Sequence, residues 1–320
     1  MKSKRSTALA SLLSLAFGCA VLPVGSASVT QALEFQTFGA SGANAAAIQA
    51  TVDTFRADLG SLNPNNPGSF GTGRREINWD GVPPNFSDPN LLPNNFFNVN
   101  SPRGAVFSTP GTGVEVSSNT AATGGLAPIL FGGINPTYPN LFQVFSPQKL
   151  FTPIGSNIVD VSFFIPGSST PALTRGFGAV FTDVDLTDTT SLMFFGATGQ
   201  LLGTFFVPSA VGNQTFSFLG VDFGSPDVSR VRITNGNVAL GPNESGALDL
   251  VVMDDFIYGE PIAVPGPIAG AGLPGLILAS GGLLAWWRRR RQSAWGALPR
   301  MVPWHAGGGA SKPFPIRCAS

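Results

Sequence analysis

Between Arg74 and Tyr258 the apolar residues of this chain occur in short runs that are separated by turn signals. Ala197-Thr198-Gly199, Asn235-Gly236 and Gly241-Pro242 are such signals, because Gly and Asn readily adopt the backbone angles of tight turns and Pro cannot donate a hydrogen bond to a sheet. Many short strands without a second helical pattern favour a mainly β protein, built as an antiparallel β-sandwich of jelly-roll type. The runs predict strands near Glu76–Asp80, Ala105–Ser108, Gly113–Ser117, Leu141–Phe145, Ile158–Ile165, Gly176–Asp185, Ser191–Phe195, Leu201–Val207, Thr215–Phe223, Ser229–Thr234 and Leu248–Tyr258.

One segment has the periodicity of an amphipathic helix instead. Its apolar residues recur at spacings of four, three and four, which places them on one face of a helix: Ile48, Val52, Phe55 and Leu59. We therefore predict a single N-terminal helix over Asn44–Leu59, ended by Gly60. The Asn-, Pro- and Gly-rich stretch that follows predicts a linker. Residues 28–73 are thus expected to be helix and linker, ahead of a sandwich at 74–261.

The N-terminus has the composition of an export signal. Basic residues at positions 2, 4 and 5 precede an apolar run, and the small residues Gly25-Ser26-Ala27 follow it. This order predicts a secretory signal peptide over residues 1–27, with cleavage after Ala32 as an alternative. A lipoprotein signal in which Cys19 is modified is a second alternative, but bulky Phe17 stands where such signals usually have a small residue.

A second apolar segment lies near the C-terminus. Ile268–Trp287 contains twenty uncharged residues and is followed by four arginines, Arg288, Arg289, Arg290 and Arg291. A stretch of about 20 apolar residues is long enough to cross a bilayer, and positive charge beside a span resists translocation. The segment therefore predicts a C-terminal transmembrane helix, with the preceding body outside the cytoplasm and the arginines inside. An ordinary tail anchor is one interpretation of it.

Val264-Pro265-Gly266-Pro267 precedes this apolar segment and its arginines. Together the three parts resemble a PEP-CTERM sorting signal, which consists of a Val-Pro-Glu-Pro-like motif, a transmembrane stretch and a basic end. Gly266 stands in place of the usual glutamate. The resemblance covers residues 262–292. It implies recognition by an exosortase-type membrane protease in bacteria that make exopolysaccharide, which makes the protease, the membrane and exopolysaccharide the expected partners. Residues 293–320 extend beyond the arginines and are predicted to be a disordered tail.

The region ahead of this signal also resembles the uncharacterised β-rich domains that often precede PEP-CTERM signals. The residues that carry this likeness are Gly176–Asp185, Ser217–Val221 and Met253–Phe256. The resemblance implies export and a sandwich fold, and it implies no particular activity.

The exported body, residues 28–261, is acidic and lacks several kinds of reactive side chain. Eight basic residues oppose all 18 acidic residues of the chain, so the body carries a net charge of about −10. Such a body offers no electrostatic footprint for nucleic acid. Cys19, Cys318 and His305 all lie outside it. A disulfide, a Ser-His-Asp triad, a Cys-His pair and a zinc site with His or Cys ligands are therefore excluded from the body.

Aspartates at the ends of two predicted strands are candidate metal ligands. Asp183 and Asp185 share one side of a strand because they are two residues apart, and Asp188 follows them. Asp249, Asp254 and Asp255 flank the last predicted strand. In a jelly roll the end strands often lie together, so the two groups are expected to converge. Calcium takes six to eight oxygen ligands at about 2.3–2.6 Å, and aspartates with carbonyl groups provide them. A structural calcium site is thus predicted at Asp183, Asp185, Asp188, Asp249, Asp254 and Asp255. The alternative is separate surface carboxylates, with Asp254 paired to Arg230 or Arg232.

Two further activities depend on other residues. Trp79 is the only tryptophan of the body and is a candidate for stacking on a sugar ring, with a place in the core as the alternative. A carbohydrate-binding module would need Trp79 or Tyr138 exposed on a concave face. A glycosidase would need two carboxyl groups about 5–9.5 Å apart in a cleft, for which Glu76 and Asp80 are candidates.

Taken together, these patterns favour an exported bacterial protein of the cell envelope or extracellular matrix with a non-catalytic role. Carbohydrate binding is the first alternative and a carboxylate-dependent glycosidase is the second.

Overall fold

The computed structural model describes residues 34–264 and 273–294 of the chain. The chain divides into two compact units, Met1–Val264 and Pro265–Ser320. The predicted signal peptide (1–27), residues 265–267 of the sorting motif and the predicted tail from residue 295 onward lie outside the described residues.

The predicted amphipathic helix is present. Helix α1 (Ala45–Leu59) begins one residue later than predicted, because Asn44 is its N-cap and accepts a hydrogen bond from the N–H of Ala47 at 3.2 Å. Gly60 ends the helix with a φ of 97°, which a residue with a side chain rarely adopts. The four residues of the predicted apolar face, Ile48, Val52, Phe55 and Leu59, are all buried.

The rest of the first unit is mainly β, with a second short helix, α2 (Phe96–Val99), and single 3₁₀ turns at Pro84–Phe86, Ala121–Thr123 and Tyr138–Asn140. The strands are β1 (Gln36–Gly42), β2 (Arg74–Ile77), β3 (Ala105–Ser108), β4 (Gly113–Val116), β5 (Phe151–Ile154), β6 (Ile158–Phe163), β7 (Ala172–Leu173), β8 (Gly176–Thr182), β9 (Ser191–Phe195), β10 (Leu201–Phe206), β11 (Phe216–Asp222), β12 (Arg230–Thr234), β13 (Val252–Gly259) and β14 (Ile262–Ala263).

These strands form two principal antiparallel sheets. The larger sheet has the order β1-β11-β8-β13-β5-β4, and β2 also pairs with β13. The smaller principal sheet has the order β10-β9-β12-β6-β3, and β14 and β7 form a separate two-stranded sheet. Phe163 of the smaller sheet contacts Phe177 and Tyr258 of the larger one, with ring centroids 6.3 and 5.3 Å apart. A mainly β fold of antiparallel sheets packed together is therefore confirmed, whereas the jelly-roll connectivity stays a prediction.

The central strands of the larger sheet are buried on both faces. One face contributes to the core between the sheets, and the other is covered by α1, whose Phe55 packs on Phe218. Glycines make room for this ring: a Cβ at Gly178 or at Gly220 would lie 2.8 Å from Phe55. Because both faces are covered, β8, β11 and β13 are buried along their whole lengths and do not alternate between apolar and polar residues.

The structure corrects one predicted strand. Residues 141–145 contain no strand, and Leu141 and Phe142 instead follow the 3₁₀ turn at Tyr138–Asn140. Both side chains are buried in a separate apolar cluster with Leu150 and Leu250. A short apolar run has the same composition whether it lies in a strand or in a buried loop, which is why the pattern was misleading.

The second unit contains helix α3 (Leu273–Ala294), which covers most of the predicted span and the arginine cluster. Arg290 lies over the ring of Trp286 at 4.6 Å and Arg291 over that of Trp287 at 3.8 Å. The first residues of the predicted span, 268–272, lie outside the described residues. Among the residues that are described, no helix combines the length and the apolar character needed to cross a membrane.

Candidate metal centre

Three carboxylate side chains converge beside the end of β8. Asp183 directly follows Thr182, the last residue of that strand, and Asp185 lies two residues further on. Glu244 comes from the loop between β12 and β13. One carboxylate oxygen from each of the three lies within 4.8 Å of the others. We refer to Asp183, Asp185 and Glu244 as the acidic centre.

The backbone turns where the acidic centre begins. Asp183 has a φ of 72°, in the left-handed region that residues with a side chain seldom adopt and that Asp tolerates better than most. Its N–H donates to the carbonyl oxygen of Thr215 at 3.1 Å. The strand therefore ends at Thr182, before the end of the predicted strand Gly176–Asp185.

The carboxylate of Asp183 is fully buried and has no protein partner. Its relative exposure is 0%, and neither of its oxygens accepts a hydrogen bond from any residue of the described part of the chain. The Oε1 atom of Glu244 is likewise buried without a partner there. A buried acceptor without a hydrogen bond costs about 1–3 kcal/mol, and more when it is charged. These oxygens therefore have the free lone pairs that a hard cation binds.

Asp185 is held in place by its surroundings. Its N–H donates to Oδ1 of Asp249 at 2.9 Å, and its own Oδ1 accepts from the N–H of Gly212 at 2.7 Å. The hydroxyl of Thr189 donates to the other oxygen of Asp249. The buried Asp249 thus fixes the loop after β8, which orders Asp185 before any ion binds.

The acidic centre has an excess of negative charge. Burial, reinforced by the charges of Glu244 and Asp185, raises the pKa of Asp183 to about 9. Burial is also the first cause of the raised pKa of Glu244 and of the raised pKa of Asp249. Within residues 34–264, no arginine or lysine forms an ion pair with any of these four carboxylates. A divalent cation would supply the missing positive charge and keep the carboxylates ionised.

The predicted group of six aspartates is brought together only in part. Asp183 and Asp185 belong to the acidic centre and Asp249 adjoins it, as expected from the convergence of the two strand ends. Asp188 lies in the same loop but is exposed.

Asp254 and Asp255 form a different group. Oδ2 of Asp254 accepts from the N–H groups of Phe145 and Ser146 at 2.6 and 3.2 Å, and Asp255 accepts from the Ser146 hydroxyl at 2.6 Å and from Arg56 at 3.0 Å. The register of β13 shifts between Met253 and Phe256, so these aspartates lie at an irregularity of the strand.

The predicted alternative partner of Asp254 is also corrected. Arg230 and Arg232 both bind Asp160, at 2.6 and 2.8 Å, because β12 pairs with β6 in the smaller principal sheet.

The predicted stacking residue lies in the core. Trp79 is 1% exposed, its ring stacks on Phe151 with centroids 4.1 Å apart, and its Nε1 donates to the carbonyl of Asp254 at 2.8 Å. Tyr138 is also buried, and its hydroxyl donates to the carbonyl of Pro242 at 2.9 Å. The alternative interpretation of Trp79 as a core residue therefore describes its position, and neither ring is available to a ligand.

The two candidate acids of a glycosidase bind different partners. Arg56 and Arg74 bind the carboxylate of Glu76, at 3.1 and 2.6 Å, whereas Asp80 accepts from the backbone N–H of Lys149 at 3.3 Å. Arg56 also binds Asp255 at 3.0 Å, so Glu76 and Asp255 line one small polar pocket with an arginine between them. This arrangement fastens α1 to the sheet.

Sequence reasoning missed Glu244. It lies in a Gly-, Pro- and Asn-containing segment, Gly241–Gly246, in which the pattern indicates only a turn. Glu244 is 59 residues from Asp185 in sequence. It lies near the end of β8 because β13, the strand that follows its loop, pairs with β8.

Comparisons with known proteins add little to this picture. No protein-family model matches the chain, and no curated protein matches it. One similar solved structure is the enzymatically active domain of bacteriophage CBA120 tailspike protein 4, at 17% identity and a TM-score of 0.25, over 52% of this chain and 20% of that one. Another is a glycoside hydrolase family 43 arabinoxylan arabinofuranohydrolase from Bacillus subtilis in complex with cellotetraose, at 18% identity and a TM-score of 0.24, over 50% of this chain and 27% of that one. Likenesses this low carry no argument about function.

Proposed function

We propose that this chain is an exported, non-catalytic β-sandwich module of the bacterial cell envelope or extracellular matrix, and that calcium bound at the acidic centre stabilises it. The observation that carries the calcium part is the carboxylate of Asp183, which is buried without a partner beside Asp185 and Glu244. Calcium is the cation whose chemistry fits, because it prefers oxygen ligands and tolerates irregular geometry. Extracellular modules bind calcium with dissociation constants of about 10⁻⁴–10⁻³ M.

The export and sorting parts of the proposal rest on the sequence and on the position of the motif. The sorting motif starts at Val264, directly after β14 (Ile262–Ala263). A protease that cut at the motif would therefore leave every strand of the first unit intact. On this basis we propose three partners: an exosortase-type protease, the membrane and exopolysaccharide.

The alternatives receive less support from the first unit. Its aromatic residues capable of polar stacking, Trp79, Tyr138 and Tyr258, are all buried, which disfavours a carbohydrate-binding face built on them. Glu76 and Asp255 line one pocket and are both bound by Arg56, which disfavours them as a pair of free catalytic carboxyl groups.

Thermal unfolding of the full-length chain, followed by circular dichroism, tests the calcium site. At a free calcium concentration one hundred times Kd, a site present only in the folded state adds about 2.7 kcal/mol. We expect the wild type to melt several degrees higher in calcium than in EDTA, and Asp183→Asn to lose most of that difference. Asp188→Asn is the matched control, because Asp188 lies in the same loop but outside the acidic centre. An equal response to magnesium or to sodium chloride would show general charge screening and would overturn the proposal.

A further inference from the structure

A second pair of buried carboxylates lies on the larger sheet, away from the acidic centre. Asp88 follows the 3₁₀ turn at Pro84–Phe86, and its N–H donates to the carbonyl of Val116 at 2.8 Å. Glu115 is the residue before Val116, in β4. In the sheet β4 lies three strands from β8, which at about 4.8 Å per strand is roughly 14 Å. We refer to Asp88 and Glu115 as the buried pair.

Both members of the buried pair lack partners. Asp88 is 3% exposed and Glu115 is 6% exposed, and the Oδ2 atom of the first and the Oε1 atom of the second accept no hydrogen bond from the described residues. Each of the two side chains thus places an unpartnered acceptor oxygen in the interior. The charge of Asp88 acts on Glu115, and two buried carboxylates that interact in this way repel each other unless a proton or a cation neutralises one of them.

The buried lysine that binds Ser87, the residue before Asp88, does not neutralise the pair. The ammonium group of Lys149 donates to the hydroxyl of Ser87 at 2.9 Å and to the carbonyl of Val82. Among residues 34–264, neither Asp88 nor Glu115 forms an ion pair with any arginine or lysine. Within the described part of the first unit, the pair is therefore left without a neutralising positive charge.

Gly133 is a neighbour of the Asp88 carboxylate. A Cβ at Gly133 would lie 3.7 Å from both carboxylate oxygens of Asp88, and Gly133 itself is exposed. A methyl group at this exposed position would therefore lie against the carboxylate. Gly133 has no positive φ, so alanine is conformationally acceptable at this position.

We propose that Asp88 and Glu115 bind a second calcium ion, at a site separate from the acidic centre. Two carboxylates offer up to four oxygens, and water and main-chain carbonyls complete the six to eight that calcium takes. Burial and the neighbouring charge of Asp88 raise the pKa of Glu115 to about 8, so a proton is the competing occupant.

The number of calcium ions bound per full-length chain tests this proposal. Isothermal titration with calcium chloride at pH 8 should give two sites for the wild type. Asp88→Asn with Glu115→Gln should leave one, and Asp183→Asn with Glu244→Gln should also leave one. The two sites use different residues, so failure at the acidic centre and failure at the buried pair give different patterns. If the first double variant binds as much calcium as the wild type, the second site does not exist.

Gly133→Ala provides a test that keeps every charge. It places a methyl group against Asp88, so we expect it to weaken calcium binding at the second site at least tenfold and to leave binding at the acidic centre unchanged. Circular dichroism checks that each variant is folded. If Gly133→Ala binds two ions with unchanged affinity while Asp88→Asn with Glu115→Gln does not fold, the proposal is overturned. If the wild type binds only one ion, and the double variant Asp88→Asn with Glu115→Gln changes only the pH dependence of stability, a proton occupies this place and the proposal is also overturned.

Discussion

Replacing Asp183 with asparagine should stabilise this protein when calcium is absent and lose most of that advantage when calcium is present. Asparagine has nearly the same size as aspartate but carries no charge. In the absence of an ion, the carboxylate of Asp183 is buried beside Asp185 and Glu244 without a partner. Burial there keeps this carboxyl protonated in the folded protein at pH 7, whereas it is ionised in the unfolded chain. Asparagine is neutral in both states, so the variant folds without taking up a proton and leaves the packing intact.

The magnitude follows from the pKa of Asp183, which is about 9 in the folded protein against an ordinary value of 3.8. Below pH 3.8 the carboxyl is protonated in both states and costs nothing. Above pH 3.8 the unfolded state releases its proton and the folded state does not, so stability is lost as the pH rises toward 9. The interval from 3.8 to 7 is about three pH units at 1.36 kcal/mol each, which sets an upper limit of about 4 kcal/mol. We expect the variant to exceed the wild type by about 2–4 kcal/mol at pH 7.

Calcium should reverse most of this difference. Binding at a hundredfold excess over Kd adds about 2.7 kcal/mol to the wild type, and the variant lacks one of the three ligands of the acidic centre. The gap between the variant and the wild type should therefore shrink by about that amount when EDTA is replaced with calcium.

Urea unfolding followed by circular dichroism at pH 4, 5.5, 7 and 8.5, with EDTA and with calcium, measures both effects. The two proteins should be equally stable near pH 4 without calcium and should diverge as the pH rises, whereas Asp188→Asn should follow the wild type. A variant less stable than the wild type at every pH in EDTA would refute the reasoning, because it would show that Asp183 is charged and well paired in the ion-free protein.

Three further predictions concern other parts of the chain. Arg75→Met should cost about 3–5 kcal/mol in urea unfolding, because it removes the cation that binds buried Glu260 at 2.6 Å. A loss below about 1 kcal/mol would contradict a buried ion pair. Gly220→Ala should cost about 1–3 kcal/mol, because its Cβ would lie 2.8 Å from Phe55. Gly246→Ala, where a Cβ meets nothing within 4 Å, is the control for that change, and an equal loss in both would contradict a clash with Phe55 as the cause. If the sorting signal is processed, the intact mass of the surface form should place its C-terminus near Val264–Pro267, and recovery of the complete tail would favour a simple anchor.

Sequence reasoning predicted an element best where the spacing of its apolar residues placed all of them on one buried face. Helix α1 is the example, since each residue of its predicted apolar face is buried. Strand β1 (Gln36–Gly42) was missed because its residues are small or polar apart from Phe38, and it depends on pairing with β11 rather than on its own pattern. Strand β5 was missed because Pro153 lies within it.

The candidate site was predictable only where its residues are close in sequence. Asp183 and Asp185 were identified by their spacing in an extended strand, although the structure joins them through a left-handed turn after the strand has ended. Asp254 and Asp255 were grouped with them by position alone, and an irregularity in β13 places both against Ser146 instead. Glu244 could not be predicted, because its place in the site depends on how a long loop returns to β8.

The use of the basic residues connects the charge of the body to both proposed calcium sites. Six of its eight basic side chains form ion pairs with acids, namely Arg56, Arg74, Arg75, Arg175, Arg230 and Arg232. The other two are engaged elsewhere: Arg103 donates to the carbonyl of Glu76 and Lys149 to Ser87. Within residues 34–264 no basic side chain is therefore left for the acidic centre or for the buried pair. The carboxylates of these two sites are therefore acids of the body that are buried without a basic partner. Two divalent ions would offset up to four negative charges at places where water cannot screen them.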